Sequence, residues 1–215
     1  MNQNKREKIA VLVFLALMII STTIIVNYIN HVGTSWNHTA TRIDDARGEL
    51  IDYTAIIYRG TAIPETRKAA EETQPISIVS AVRVYKEKGA NVLRIDVLHP
   101  EIYDGGDIYL IGHKRIGLFY VSDETTKRDL REQVEYYFEH AVDHMVFITE
   151  DSEFIQDSKY RPDIVISIGA NEDVRFGTTI DGTYYSHVPS VGKVGAILIS
   201  PDNIISSKTI TEIKE

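Results

Sequence analysis

The chain has 215 residues, a formal net charge of −8 and no cysteine. Binding to a phosphate backbone requires clustered lysines and arginines, so this acidic balance predicts no nucleic-acid partner. The lack of cysteine excludes disulfides, thiolate catalysis and cysteine-ligated metals. With 43% hydrophobic and 25% charged residues, the composition is typical of one globular domain with a short appendage.

An uncharged apolar run occupies residues 9–26 (IAVLVFLALMIISTTIIV). As an α-helix it would extend roughly 27 Å, close to the hydrocarbon thickness of a bilayer. Tyr28 follows the run, at a position where aromatic side chains favour the membrane interface. The sequence therefore predicts one transmembrane helix over residues 9–29. A cleaved signal peptide is the alternative, although the run is longer than usual and no Ala-x-Ala-like site follows it.

The charges that flank the run predict its orientation. Lys5, Arg6 and Lys8 precede it, whereas the first cation after it is Arg42. The positive-inside rule then leaves residues 1–8 as a cytoplasmic tail. Residues 30–51 are predicted to be a juxtamembrane linker, and residues 52–215 a periplasmic or extracellular domain of a single-pass cell-membrane protein. The linker contains a glycosylation sequon at Asn37.

The first half of this domain alternates strand-like and helix-like patterns. A short apolar run at residues 53–58 predicts a strand. An apolar face over residues 76–88 predicts a helix that ends at Gly89. Further strands are expected at residues 91–97, 108–111 and 115–121, the last two forming a hairpin that turns at Gly112.

The second half begins with a helix predicted over residues 126–142, with Asp123 as its N-cap. A strand at 145–149, a short helix at 151–160 and a doubly buried strand at 163–168 follow. Residues 182–188, 194–199 and 208–213 predict short antiparallel strands. The fold class is therefore α/β: a layered mixed sheet with flanking helices and a β-rich C-terminal section, preceded by one transmembrane helix.

The order of these segments resembles the catalytic domain of calcineurin-like metallophosphoesterases of the 5′-nucleotidase branch. The resemblance covers roughly residues 52–200. It is carried by YTAIIYRGTA, ISIVSAVRVYKEKGANVLRIDV, KRIGLFYVSDET, HMVFITED, PDIVISIGANED and TYYSHVPSVGKVGAILIS. It implies a fold in which two metal ions, held just past strand ends, clamp a phosphate and activate water.

The ligand motifs of that family are largely missing from this chain. Residues 59–61 (RGT) stand where Asp-x-His would fall, and residues 96–99 (DVLH) replace Asp-Ala-Gly-Asp. Glu150 takes the place of the histidine in Ser-His, and residues 169–171 (GAN) replace Gly-His-x-His. The segment between residues 100 and 112 is too short for the Gly-Asn-His-Glu loop. The resemblance therefore implies a degenerate domain that lacks most metal ligands.

Carboxylates and imidazoles cluster at residues 99–107 (HPEIYDGGD), and a further polar group follows a buried strand at residues 171–173. We expect first that the protein has no cofactor. The alternative is a divalent ion such as Mn²⁺, Zn²⁺ or Fe²⁺. Its candidate ligands are Asp96, His99, Asp104, Asp107 and Asn171. The competing interpretation is an ordinary Asp-Gly-Gly-Asp turn and a solvated loop.

Two other patterns allow a binding role. His140 and His144 have the i, i+4 spacing of a helical zinc site, but a helix C-terminus also accounts for His140. The tyrosine pairs at residues 136–137 and 184–185 suit either a protein interface or half-buried strands. No Gly-x-Ser-x-Gly elbow and no phosphate-binding glycine loop is present.

The favoured hypothesis is a membrane-anchored, extracytoplasmic, metallophosphoesterase-like pseudoenzyme. It would be a subunit, scaffold or binding module for a protein partner at the membrane surface, since a single span concentrates the domain there. The alternative is a membrane-anchored, metal-dependent phosphoesterase with an unorthodox site.

Overall fold

The computed structural model describes residues 48–61, 75–168 and 177–210, together with Met18 and Ser21. The chain divides into two units, Met1–Trp36 and Asn37–Glu215. In the first unit, Met18 and Ser21 are helical and exposed. The predicted tail, span and linker otherwise lie outside the described residues, except for residues 48–51. Among the described residues, no helix is long and apolar enough to cross a membrane.

The second unit alternates strands and helices along the chain. Its strands are β1 (Thr54–Arg59), β2 (Asn91–Arg94), β3 (Asp107–Ile111), β4 (Lys114–Val121), β5 (His144–Thr149), β6 (Ile164–Ser167), β7 (Thr178–Ile180), β8 (Thr183–His187), β9 (Val194–Ile199) and β10 (Ile205–Ile210). Its α-helices are α1 (Ile78–Glu87), α2 (Lys127–Glu139) and α3 (Ser152–Gln156). A 3-10 helix at Pro100–Tyr103 precedes β3.

The strands form two mixed sheets, which confirms the predicted α/β class. The first sheet has the order β10-β9-β1-β2, in which only β1 and β2 are parallel. The second has the order β3-β4-β5-β6-β8-β7, with four parallel strands at its centre. The sequence predicts a single mixed sheet. Apolar runs reveal that strands exist but not which strands pair, so the division into two sheets is not visible in the pattern.

The two sheets pack against each other, and helices cover their outer faces. The core between the sheets includes Ile56 and Ile197 of the first sheet and Ile148 and Ile166 of the second, all fully buried. The outer face of the first sheet packs on α1, and the outer face of the second packs on α2 and α3. Because β6 is covered on both sides, all its residues are buried, as its continuous apolar run predicts.

Tyr58 connects the two sheets through the core. It lies on β1 directly opposite Gly195 of β9, and its ring occupies the space where a side chain at that glycine would be. Its hydroxyl is 2.8 Å from the Ser186 Oγ of β8, in the other sheet. Burial raises the pKa of the Tyr58 phenol. A neutral, hydrogen-bonded tyrosine therefore bridges the sheets inside a predominantly apolar core.

Several predicted boundaries are wrong in detail. The N-cap of α2 is Thr126 and not Asp123, because Thr126 and Asp129 form a reciprocal capping box. Helix α3 has only 5 residues, within the longer helix predicted there. The strand predicted at 182–188 is parallel to β6 and antiparallel only to β7, a strand that the sequence did not predict. The hairpin of β3 and β4 and the end of α1 at Gly89 (φ 90) are confirmed.

Candidate functional site

Asp96 and His99 form a surface pair just after β2. The His99 Nδ1 is 3.1 Å from the Asp96 Oδ2, and the Leu98 backbone N–H donates to the other oxygen of that carboxylate. Burial opposes ionisation of Asp96, but these hydrogen bonds outweigh it and lower the pKa of the carboxyl. The His99 side chain is 66% exposed. The pair is thus an ionised carboxylate that orients an accessible imidazole.

Asp107 has a different set of partners. The Tyr109 hydroxyl donates to the Asp107 Oδ2 at 3.1 Å. Burial and then this hydrogen bond raise the pKa of Tyr109 to about 12. The buried Tyr103 accepts the Asp96 backbone N–H on its hydroxyl oxygen. The Asp107 carboxylate therefore accepts from a tyrosine, whereas Tyr103 contacts only the backbone of Asp96, whose carboxylate contacts His99 and Leu98.

Of the two remaining candidate ligands, Asp104 and Asn171, the structure describes only Asp104. Asp104 lies in the turn between the 3-10 helix and β3, as expected for an Asp-Gly-Gly-Asp turn. Asn171 lies outside the described residues. Among the described residues, no group of three or more histidine and carboxylate side chains is positioned to hold one ion. A dinuclear centre needs several converging ligands, and the described residues bring together only Asp96 and His99 at the end of β2.

The carboxyl end of β1 is filled by backbone from elsewhere in the chain. The Gly60 N–H donates to the Lys193 carbonyl at 2.8 Å. A Cβ at Gly60 would lie 2.1 Å from the Ser190 carbonyl oxygen and 2.6 Å from that of Pro189. The Asp-x-His motif of the metallophosphoesterases that the sequence resembles would fall at residues 59–61. In this chain the segment between β8 and β9 packs closely against that position.

The two histidines with zinc-like spacing lie in different environments. Helix α2 ends at Glu139, so His140 and His144 do not lie on one helix. His140 is exposed and stacks on Tyr136 at 4.1 Å between ring centroids. His144 is buried in β5, with its Nε2 3.3 Å from the Asn203 Oδ1, which also accepts from the Lys114 ammonium. Burial lowers the pKa of His144, and Lys114 acts in the same direction. His144 is therefore a core residue at the contact between the sheets.

An acidic pocket of about 490 Å³ opens beside the carboxyl end of β4, between the turn at Asp104 and helix α2. Open α/β sheets commonly place ligands at the carboxyl ends of their parallel strands. Among the described residues, four carboxylates and three aromatic rings line this pocket, and no cationic side chain does. Its lining residues are Asp104, Gly105, Phe119, Tyr120, Ser122, Glu124, Thr125, Asp129, Glu132, Gln133 and Tyr136.

The pocket has an aromatic floor and a negatively charged rim. Phe119 is buried and packs edge-on against Phe147, whereas Tyr136 is 40% exposed at the rim. Burial raises the pKa of the Tyr120 phenol most. The negative charges of nearby carboxylates raise it further, in the decreasing order Glu150, Asp104, Asp123 and Glu101. Aromatic rings beside carboxylates attract ammonium and guanidinium groups. The pocket is therefore suited to a positively charged side chain.

The sequence alone does not predict this pocket, although part of its signal is present there. Asp129, Glu132, Gln133 and Tyr136 have the i, i+3, i+4, i+7 spacing of a single helix face. The exposed Tyr136 suits an interface, and the buried Tyr137 is a packing residue. Tyr184 and Tyr185 are also buried. The prediction of an interface tyrosine thus applies to Tyr136 alone among the two pairs.

Comparison with known proteins gives no family for this chain. No protein-family model and no curated protein matches the sequence. A solution NMR structure of a Thermotoga maritima protein is similar over 74% of this chain and 99% of that chain, with 11% sequence identity and a TM-score of 0.29. A TM-score this low carries no argument about fold or function.

Proposed function

We propose that this protein is a membrane-anchored, non-catalytic binding domain held outside the cytoplasm. It would serve as a subunit, scaffold or binding module in a membrane-associated complex. The observation that carries the proposal is the acidic pocket, a concave surface with an exposed tyrosine at its rim and carboxylates around it. Aromatic anchors in such pockets are typical of protein interfaces.

The pocket's carboxylates support binding more than acid–base chemistry. The Asp129 Oδ2 accepts the Thr126 backbone N–H at 2.8 Å, and hydrogen bonds from Thr126 lower the pKa of this carboxyl. Glu132 accepts from the Arg128 Nε at 2.7 Å. Asp129 therefore stays ionised at neutral pH, as a partner of a cationic group and not as a proton donor.

The membrane tether rests on the sequence. The apolar run at residues 9–26 has three cations before it and none until Arg42 after it. This pattern supports a single span with the tail inside. The descent from a metallophosphoesterase-like domain is likewise part of the proposal. It is supported by the segment order, and the close packing at Gly60 supports the loss of that family's first metal motif from this position.

One observation favours the alternative, a metal-dependent phosphoesterase with an unorthodox site. Asp96 and His99 form a carboxylate–imidazole pair at a strand end, and carboxylates orient metal-binding histidines in this way. Mn²⁺, Zn²⁺ or Fe²⁺ would then bind the other ring nitrogen of His99, Nε2, and would need further ligands. The two candidate functions differ in whether the protein binds a metal and hydrolyses a phosphate ester, and both can be measured directly.

We expect the purified full-length protein to hold no stoichiometric transition metal and to hydrolyse no bis(p-nitrophenyl) phosphate with Mn²⁺ present. Elemental analysis and initial rates are the measurements. The matched variants are His99→Ala and His113→Ala, which remove an exposed imidazole from the pair and from the β3–β4 turn, respectively. Bound metal with activity that is lost in His99→Ala and kept in His113→Ala would establish the alternative.

A further inference from the structure

A basic cleft of about 480 Å³ lies on the side of α2 away from the acidic pocket. Its walls are the first turns of α2 and the segment that follows α3. Four cations face a single carboxylate there, in a chain whose net charge is −8. The lining residues are Lys127, Arg128, Arg131, Asp157, Ser158, Lys159 and Tyr160.

The two arginines keep most of their hydrogen-bonding capacity for a ligand. Arg128 and Arg131 pair through Nε with Glu132 at 2.7 Å and Glu135 at 3.8 Å. Within the described part of the chain, no hydrogen bond engages the terminal Nη groups of either guanidinium. An arginine fork binds phosphate oxygens in pairs, so these groups match a phosphate better than a halide or a single neutral acceptor.

The opposite wall of the cleft is held in place by local hydrogen bonds. The buried Ser158 Oγ donates to the Tyr160 carbonyl at 2.9 Å and accepts the Tyr160 backbone N–H. The Lys159 Nζ lies 5.2 Å from the centroid of the Tyr160 ring, a cation–π distance. A fixed turn thus presents a lysine toward the cleft formed with the helical arginines.

We propose that this cleft binds a multiply charged phosphate group. The four cations outnumber Asp157 and the two glutamates that pair with the arginines, so the cleft keeps a positive potential that attracts polyanions, despite the acidic net charge of the chain. The inference goes beyond the proposed function, since no residue lines both the cleft and the acidic pocket, although both use helix α2 and Arg128 of the cleft pairs with Glu132 of the pocket. The same phosphate chemistry can come from a soluble phosphorylated compound or from an anionic lipid headgroup.

Two arms distinguish these sources, both with the full-length chain. In neutral detergent, titration calorimetry with inorganic pyrophosphate tests a soluble ligand. In nanodiscs, hydrogen exchange of the amides at residues 127–131 and 157–160 is compared with and without phosphatidylglycerol in a phosphatidylcholine bilayer. We expect binding in at least one arm, weakened by added salt because exposed charges are screened.

Arg131→Gln and Lys159→Gln test the two walls separately, so that failure of one variant to fold leaves the other informative. Each is expected to weaken binding about fivefold or more, the effect of losing a charge-assisted contact. Arg83→Gln on α1 is the matched control, because Arg83 forms the same i, i+4 pair with Glu87, at 3.9 Å. Unchanged affinity in both cleft variants, an equal loss in Arg83→Gln, or no binding in either arm would overturn the proposal.

Discussion

Replacing Gly60 by alanine is expected to destabilise the domain by about 3 kcal/mol, because the new methyl group overpacks a site that cannot relax. Its Cβ would lie 2.1 Å from the Ser190 carbonyl oxygen, 2.6 Å from that of Pro189 and 2.9 Å from that of Lys193. All three obstacles are backbone atoms, so no side-chain rotation relieves the overlap. Urea unfolding of the full-length chain, followed by circular dichroism, measures the loss.

Gly105→Ala is the matched control for this substitution. A Cβ at Gly105 meets no atom within 4 Å, and neither glycine has a positive φ. Alanine at such a site stabilises slightly, by about 0.4–1 kcal/mol, because it restricts the unfolded chain. If the two alanine variants shift stability equally, the close packing between the end of β1 and the segment before β9 is not a real constraint.

Truncating Tyr58 is expected to cost about 4 kcal/mol in Tyr58→Ala, since a fully buried ring is lost from the core between the sheets. Tyr58→Phe retains the ring and removes only the hydroxyl. It leaves the fully buried Ser186 Oγ without this partner and is expected to cost about 1–3 kcal/mol. Denaturant unfolding of both variants gives the two contributions separately.

Tyr136→Ala is the comparison for the tyrosine series, because Tyr136 is exposed at the rim of the acidic pocket. Its truncation should change the free energy of unfolding by less than about 1 kcal/mol. A Tyr58→Phe variant as stable as the wild type would show that the hydroxyl contact between β1 and β8 contributes nothing. An equal loss in Tyr58→Ala and Tyr136→Ala would contradict the assignment of Tyr58 to the core.

Local patterns predicted most elements but not their assembly. The run at 163–168 identifies β6 because a strand covered on both faces is apolar throughout. Strand β7, with the sequence TTI, is short and partly exposed, so it has no such signature. The pairing of β1 with β9 joins residues more than a hundred positions apart, and it depends on Gly195 making room for Tyr58. The hydrophobic periodicity of the sequence does not show that Gly195 and Tyr58 fit together.

In the candidate site too, contacts between residues close in sequence could be predicted, whereas pockets built from separate segments could not. Asp96 and His99 are close in sequence, and their contact follows from the turn that connects them. The acidic pocket combines the turn at Asp104, the end of β4 and one face of α2. The basic cleft similarly needs α2 and the turn at Lys159. Sites built from separate segments become visible only once packing has brought those segments together.

The most direct test of a binding role is photo-crosslinking from the rim of the acidic pocket in the native membrane. A photoreactive phenylalanine analogue replaces Tyr136 in the full-length protein, and crosslinked products are identified by mass spectrometry. Glu124→Lys, which reverses a charge in the pocket lining, is compared with Glu139→Lys at the end of α2, outside that lining. We expect a discrete protein adduct that Glu124→Lys abolishes and Glu139→Lys preserves. No adduct, or an adduct that both variants retain equally, would contradict a partner bound at this pocket.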